Sequence, residues 1–433
     1  MPPINFLSRL FRALALDIAP LRQLRDFRLL YFGQVVSSLG TMMTYVVIPY
    51  QVYQLTRSSL LVGLLGVAEF VPLLALALVG GALADAVDRR RLILATEFLL
   101  TLCTGVLWLN SWAWQPRLWL IFVLAGTRAA LSALQRPARE ALTPRIVPPE
   151  MMPAVAALRS AAFNVSGIGG RALGGILAVK FGAAFAYAID AVSFAASLTS
   201  LFLLSAIPAA ANARRVSLSA IVEGLRYARS RRELLATYLI DINAMFFGMP
   251  MALFPAMAEG FGLGWVGWFY AMPSVGAFCA SFTSGWTKRI NRQGLAITIA
   301  ASLWGAAIVA FGLADNLWLA LLFLALAGAA DEISAIFRVT MWNESIPDHL
   351  RGRLASIEML SYLSGPKLGD AEAGLVASLT SPRVSVVSGG VLCVAGSLVL
   401  AFCLPAFLRY DGREGRARKR DEDAAHTAKP VGE

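Results

Sequence analysis

Residues Gly80–Arg91 read GGALADAVDRRR, a charged turn set between two long apolar runs. Its surroundings recur about two hundred residues later. Val62-Gly63 is followed by Gly81 and a basic turn. At the same spacing, Val266-Gly267 is followed by Gly285, then Lys288, Arg289 and Arg292. A second echo lies nearby. Ala125-Gly126 followed by LSALQR (131–136) returns as Ala327-Gly328 followed by ISAIFR (333–338). The offsets, 204 and 202, agree closely, which marks a chain built as a tandem of two halves. The echo is unequal, because Arg289 stands four places after Gly285 where Asp85 follows Gly81.

Hydrophobic residues make up 58% of the 433, charged residues only 15%, and mean hydropathy is +0.65. A soluble domain carries nearer 25% charged residues, so composition favours a membrane protein. Runs of about 20 apolar residues number about twelve: 28–52, 60–83, 92–112, 117–135, 154–178, 182–207, 234–257, 263–285, 294–313, 317–337, 355–379 and 383–408. The net charge of +11 tracks the turns between them. With the N-terminus inside, 29 Lys and Arg fall on inside segments and 4 (Arg57, Arg117, Lys180, Arg383) on outside loops. By the positive-inside rule this puts both termini in the cytoplasm of a cell (inner) membrane. The basic charge thus reads as topology and not as a nucleic-acid footprint.

The expected organisation follows. Residues 1–27 form a cytoplasmic N-terminal segment. Its Phe6, Leu7, Leu10, Phe11 and Leu14 suit either an interfacial helix or a disordered leader. Residues 28–208 form one six-helix half and 234–408 the other, joined by a cytoplasmic linker helix at 209–233. Residues 409–433 form a disordered, charged tail whose RARKR run (416–420) suits lipid headgroups. Several chemistries lack their signatures. No GxxxxGK[ST] loop is present, the two histidines (His349, His426) have no Cys or His nearby, and GxSxG is missing. The four cysteines fall singly in apolar runs. No enzyme, cofactor or metal is expected.

GGALADAVDRRR resembles the loop 2–3 signature of the major facilitator superfamily, G-x-L-A-D-R-x-G-R-R/K, through Gly81, Leu83, Ala84, Asp85, Arg89 and Arg90. Ala86 and Asp88 depart from it. The stretches FRLLYFGQVVSSLG (27–40), RPAREALTPRIVP (136–148) and FRVTMWNESIPDHLRGRLASIE (337–358) are similar to the enterobactin-exporter-like branch of drug and siderophore exporters. The resemblance implies an all-α membrane fold of twelve helices in two parallel-repeat halves, with helices 1, 4, 7 and 10 around a central cavity. It also implies a cytoplasmic gate of Gly81, Asp85, Arg89 and Arg90, in which Asp85 pairs with an Arg on helix 4; Arg128 is the candidate there.

An ionisable group at membrane depth is costly and marks function by default. Glu69, Arg128, Arg171, Asp190, Asp241, Asp331, Glu332, Glu358, Lys367, Asp370 and Glu372 all lie in apolar runs. The cavity helices of the resemblance select Asp241 and Asp331 as proton-coupling candidates, or else as structural partners of charges such as Arg338. SGIGGRALGG (166–175) resembles the helix 5 antiporter signature G-x-x-x-G-P-x-x-G-G, with Ser166 replacing its first Gly and Arg171 its Pro. Losing Pro removes a bend. Arg171 suits either recognition of an anionic substrate or snorkelling toward the outer surface. Tyr31, Tyr45, Phe246 and Phe247 are candidates to line a cavity for a bulky, partly apolar ligand.

The sequence therefore predicts a monomeric secondary transporter in the lipid bilayer. It would export a small amphipathic molecule, a siderophore or drug, by alternating access on the proton gradient. An importer of a nutrient or iron complex, and a non-transporting membrane sensor or scaffold, are the alternatives.

Overall fold

The computed structural model describes residues 17–86, 89–204, 226–227, 229–347 and 350–427. The N-terminal amphipathic face at 6–14 and the linker face of Leu218, Ile221, Val222 and Leu225 lie outside the described residues. Among the described residues, twelve long helices run alternately between two ends of a bundle. They are α1 (Arg25–Thr56), α2 (Ser59–Ala86), α3 (Arg89–Trp112), α4 (Leu118–Ile146), α5 (Met152–Val165, a π-turn at Ser166–Gly170, then Arg171–Phe181) and α6 (Ala183–Phe202). The second set is α7 (Arg232–Phe247), α8 (Val266–Thr283), α9 (Gln293–Leu313), α10 (Leu317–Ser345), α11 (Arg351–Leu379) and α12 (Pro382–Cys403). The start of α1 and the end of α12 share what we call the terminal end; the opposite face is the remote end.

Packing repeats with a shift of six helices. Within the first set α1 packs on α5 and α6, α2 on α4, and α3 on α4 and α6; within the second, α7 packs on α11 and α12, α8 on α10, and α9 on α10 and α12. The sequence echoes occupy matching places. A side chain at Gly126 would press on Ala68 O of α2, and one at Gly328 would overlap Pro273 O of α8. The two halves then meet along two seams, α2 against α11 and α5 against α8. The other echoed pair lies in these seams, where Gly63 sits on Gly374 of α11 and Gly267 on Gly175 of α5. Two backbones come this close only where neither carries a Cβ, which is the small-residue packing that drives helix association in lipid.

Ten helices among the described residues are long and apolar enough to cross a membrane. The other two, α8 and α11, are both seam helices, and α11 carries Glu358, Lys367, Asp370 and Glu372. On these two helices Lys367, Asp370 and Ser274 are turned toward partners within the protein. The bundle also shows apolar side chains outward, among them Phe202, Leu303, Trp318 and Phe402, each more than half exposed. That is the surface a bilayer requires.

The tail corrects a sequence expectation. Composition predicts disorder after Arg409, yet Gly412–Thr427 forms a helix, α13, that packs on α10. Its charges find protein partners. Arg416 pairs with Glu344, Lys419 donates to Asn343 O, and Glu422 accepts from Arg231 (3.0 Å) and Tyr227 (2.8 Å). The RARKR run therefore contacts the bundle at Arg416, Arg418 and Lys419, where lipid headgroups were expected.

Candidate transport site

Helix α7 ends at Phe247 and the chain resumes as a tight turn at Met251–Leu253 before a short helix, Phe254–Glu259. Pro250 causes the break: it has no N–H to donate and disfavours helical geometry at Met249. Unwound backbone at this depth needs internal partners. Tyr270 donates its hydroxyl to Met251 O (2.8 Å), and Asp370 Oδ1 accepts the Ala252 N–H (2.8 Å). A discontinuous helix held by side chains from the seam is a recurrent setting for transporter sites.

Around this break five helices converge on one polar cluster. Lys367 of α11 pairs with Glu69 of α2 across the first seam. Arg171 of α5 crosses the second, donating to Tyr270 O (3.2 Å) and Ser274 Oγ (2.8 Å) of α8. Tyr45 of α1 lies between the two cations, with the Arg171 guanidinium and the Lys367 ammonium each 5.3 Å from its ring centroid. The same tyrosine's hydroxyl contacts the Met251 sulfur at 3.1 Å. Free space here is only about 30 Å³. A cavity of that size holds no more than a water or two. The site is collapsed.

Toward the remote end the halves are pinned again. Glu259 pairs with Arg57, at the end of α1, and accepts from Tyr53 (2.8 Å). These ties between the halves, among the described residues, run from the mid-depth cluster to the remote end.

Three further charged groups sit within single halves. Asp190 is fully buried on α6 and receives Arg128 (3.1 Å) and Thr44 (2.5 Å), while Arg128 also donates to Thr104. This corrects the proposed pairing of Arg128 with Asp85. Gly126 abuts Ala68, so Arg128 is level with Phe70 of α2. Asp85 lies about four turns further along that helix, roughly 22 Å away at about 1.5 Å of rise per residue. Gly81 and the side chains of Asp85 and Arg89 lie outside the described contacts. Arg90 donates to Leu201 O and Phe202 O. Both carbonyls lie in the closing turn of α6, where helical C=O groups lack i+4 partners.

In the second half Arg338 holds Asp241 at 2.9 Å and stands 3.9 Å from Asp331, while its other nitrogen donates to Ser334 Oγ (2.7 Å). The third group, Glu97 with Arg139 (2.5 Å) and Gln135 (2.6 Å), was not singled out from the sequence. The signal was available: a lone acid in the apolar run 92–112, with basic residues on the following helix.

Of the aromatic candidates only Tyr45 joins the mid-depth cluster. Tyr31 donates to Leu158 O (3.1 Å) and ties α1 to α5 near the terminal end. Phe246 and Phe247 stack edge to face (4.8 Å) and are half-buried, with backbone carbonyls close to Gly369 and Gly389. Arg171 does not snorkel, because it reaches sideways to α8. Nor is the irregularity of α5 lost with the missing proline. The π-turn at Ser166–Gly170 stands immediately before Arg171, as such turns often do at functional sites.

Known proteins share this architecture. Residues 15–421 match the family described as transmembrane secretion effector. The chain is 27% identical over 398 residues to the enterobactin exporter EntS of Shigella boydii serotype 4 (strain Sb227), covering 89% of this chain and 93% of that one. The EntS of Escherichia coli O81 (strain ED1a) matches at the same identity and coverage. Among solved structures, the nucleoside transporter NupG superposes with a TM-score of 0.68 at 14% identity, over 89% of this chain and 100% of that one. A bacterial homologue of the iron transporter ferroportin gives 0.64 at 14%, over 89% and 99%. With a repeated six-helix plan, two glycine seams and a family match across nearly its whole length, the chain belongs to the transmembrane secretion effector family of the major facilitator superfamily, and it is a multi-pass membrane efflux transporter and not an enzyme.

Proposed function

We propose that the protein exports a small amphipathic molecule of siderophore or drug type from the cytoplasm, by rocking two halves (28–208 and 234–408) about the mid-depth cluster. The observation that carries this reading is where the halves touch: among the described residues, their ties run from the cluster to the remote end. That distribution suits an alternating-access transporter whose halves part at the terminal end. The charge bias of the turns makes the terminal end cytoplasmic, in the inner membrane, with both termini inside. The likeness to EntS supports a siderophore-like cargo.

Proton entry is the proposed drive, with Asp241, Arg338 and Asp331 as the coupling group. Arg338 stands 2.9 Å from one carboxylate and 3.9 Å from the other, so a proton on Asp331 would leave Asp241 as its sole acid. Gly81, Asp85, Arg89 and Arg90 remain the proposed cytoplasmic gate, with an Asp85 partner other than Arg128.

The test is reconstitution of the full chain in liposomes with an imposed pH gradient, following siderophore and dye flux with and without an uncoupler. Gradient-driven flux away from the face bearing the termini is expected. Asp241→Asn and Asp331→Asn should each lower gradient-driven flux roughly tenfold or more while leaving substrate-exchange flux measurable. Flux unaffected by uncoupler and by both substitutions would remove the proton drive. Gradient-driven flux toward that face would make the protein an importer, and no flux across the panel would favour a sensor or scaffold.

A further inference from the structure

Both acids of the mid-depth cluster have partners: Glu69 has Lys367, and Asp370 has the Ala252 N–H. The two cations are unequal. Lys367 has Glu69, whereas Arg171 has no carboxylate among the described residues. Its Nη1 donates to two neutral oxygens, Tyr270 O and Ser274 Oγ, and its buried Nε donates to nothing. A guanidinium at this depth with only neutral acceptors is an incomplete site, because its planar fork is built for an oxyanion. Lys367 becomes a second donor as soon as Glu69 leaves it, and both cations already flank the same Tyr45 ring.

We infer that Arg171 and Lys367, one from each half, form a receptor for an acidic oxygen group of the cargo, a carboxylate or an ionised phenol. Glu69 occupies the place of that group on Lys367 in the unloaded state. This inference rests on the export reading and adds a charge class to it. Loading exchanges an internal ion pair between the halves for two ligand contacts, so the cargo itself loosens the α2–α11 seam. Such charge-assisted contacts are the strong ones, and bidentate at Arg171.

Carboxyfluorescein, which carries both acid types, is the probe. It is titrated by fluorescence anisotropy against the full chain in nanodiscs, with cationic rhodamine 6G as comparison. Arg171→Gln and Lys367→Gln should each weaken carboxyfluorescein binding by about tenfold or more. Arg171→Lys should recover part of the loss, and Glu69→Gln should tighten binding by removing the internal competitor. Arg383→Gln, on the remote surface, should change nothing. Three results would overturn the receptor: no saturable carboxyfluorescein binding to the unaltered protein, equal affinity in Arg171→Gln, or weakening of both dyes alike. Arg171-dependent binding without flux in liposomes would sink the export reading and leave the receptor standing.

Discussion

Asp190 and Arg128 show what a buried pair within one half does. The carboxylate is wholly inside and receives three donors, from Arg128, Thr44 and Ser193. Removing one partner strands the other charge at depth, a loss of about 3–5 kcal/mol in buried pairs. Arg128→Met should therefore lower thermal stability in detergent sharply, and Asp190→Leu added to it should restore most of the loss. A double variant no better than the single one would mean that the pair's own attraction, and not a stranded charge, sets the cost. The sequence showed that both residues were buried charges. It could not show that they were each other's partner, because they lie far apart in the chain, on helices that only packing brings together.

At the scale of elements, both seams rest on close glycine contacts. Gly175 and Gly267 allow α5 and α8 to meet backbone to backbone, and a Cβ on either would overlap the other helix. Gly175→Val should force the remote end apart, because the obstacle is main chain and cannot rotate away. Spin labels at Lys180 and Thr380, on opposite halves at the remote end, should show a longer mean distance in this variant. An unchanged distance would mean that α5 and α8 slide without opening. The echo of Val62-Gly63 in Val266-Gly267 was legible as duplication. That these glycines lie in the two seams was not legible, since a repeat in sequence does not say which faces of the two copies meet.

At the scale of the molecule, the tail helix braces the second half through its contacts among the described residues. Through Glu422 it holds Arg231 at the start of α7, and through Arg416 it holds Glu344 near the end of α10. These contacts are largely ionic, so they weaken as salt shortens the screening length to about 3 Å at about 1 M. Truncation after Tyr410, or high salt with the intact chain, should speed amide exchange in 229–240 and 338–345 while leaving α1 to α6 unchanged. Equal exchange in both halves would mean that the tail does not brace the second half selectively. Composition predicted disorder here for a sound reason, the lack of apolar residues; the bundle supplied acid partners that composition cannot report.

The sequence by itself determined the class, the number of helices, the duplication and the sidedness of charge. Each of these is written in local composition and periodicity, because a bilayer makes every helix satisfy its own backbone and show lipid an apolar face. Only the tertiary structure decided which charges meet. It gave Arg128 to Asp190 instead of Asp85, set Lys367 of the second half against Glu69 of the first, and left Arg171 without an acid among the described residues. Side-chain pairing at depth depends on helix register and rotation at the scale of single contacts, and hydrophobic patterning along the chain constrains neither.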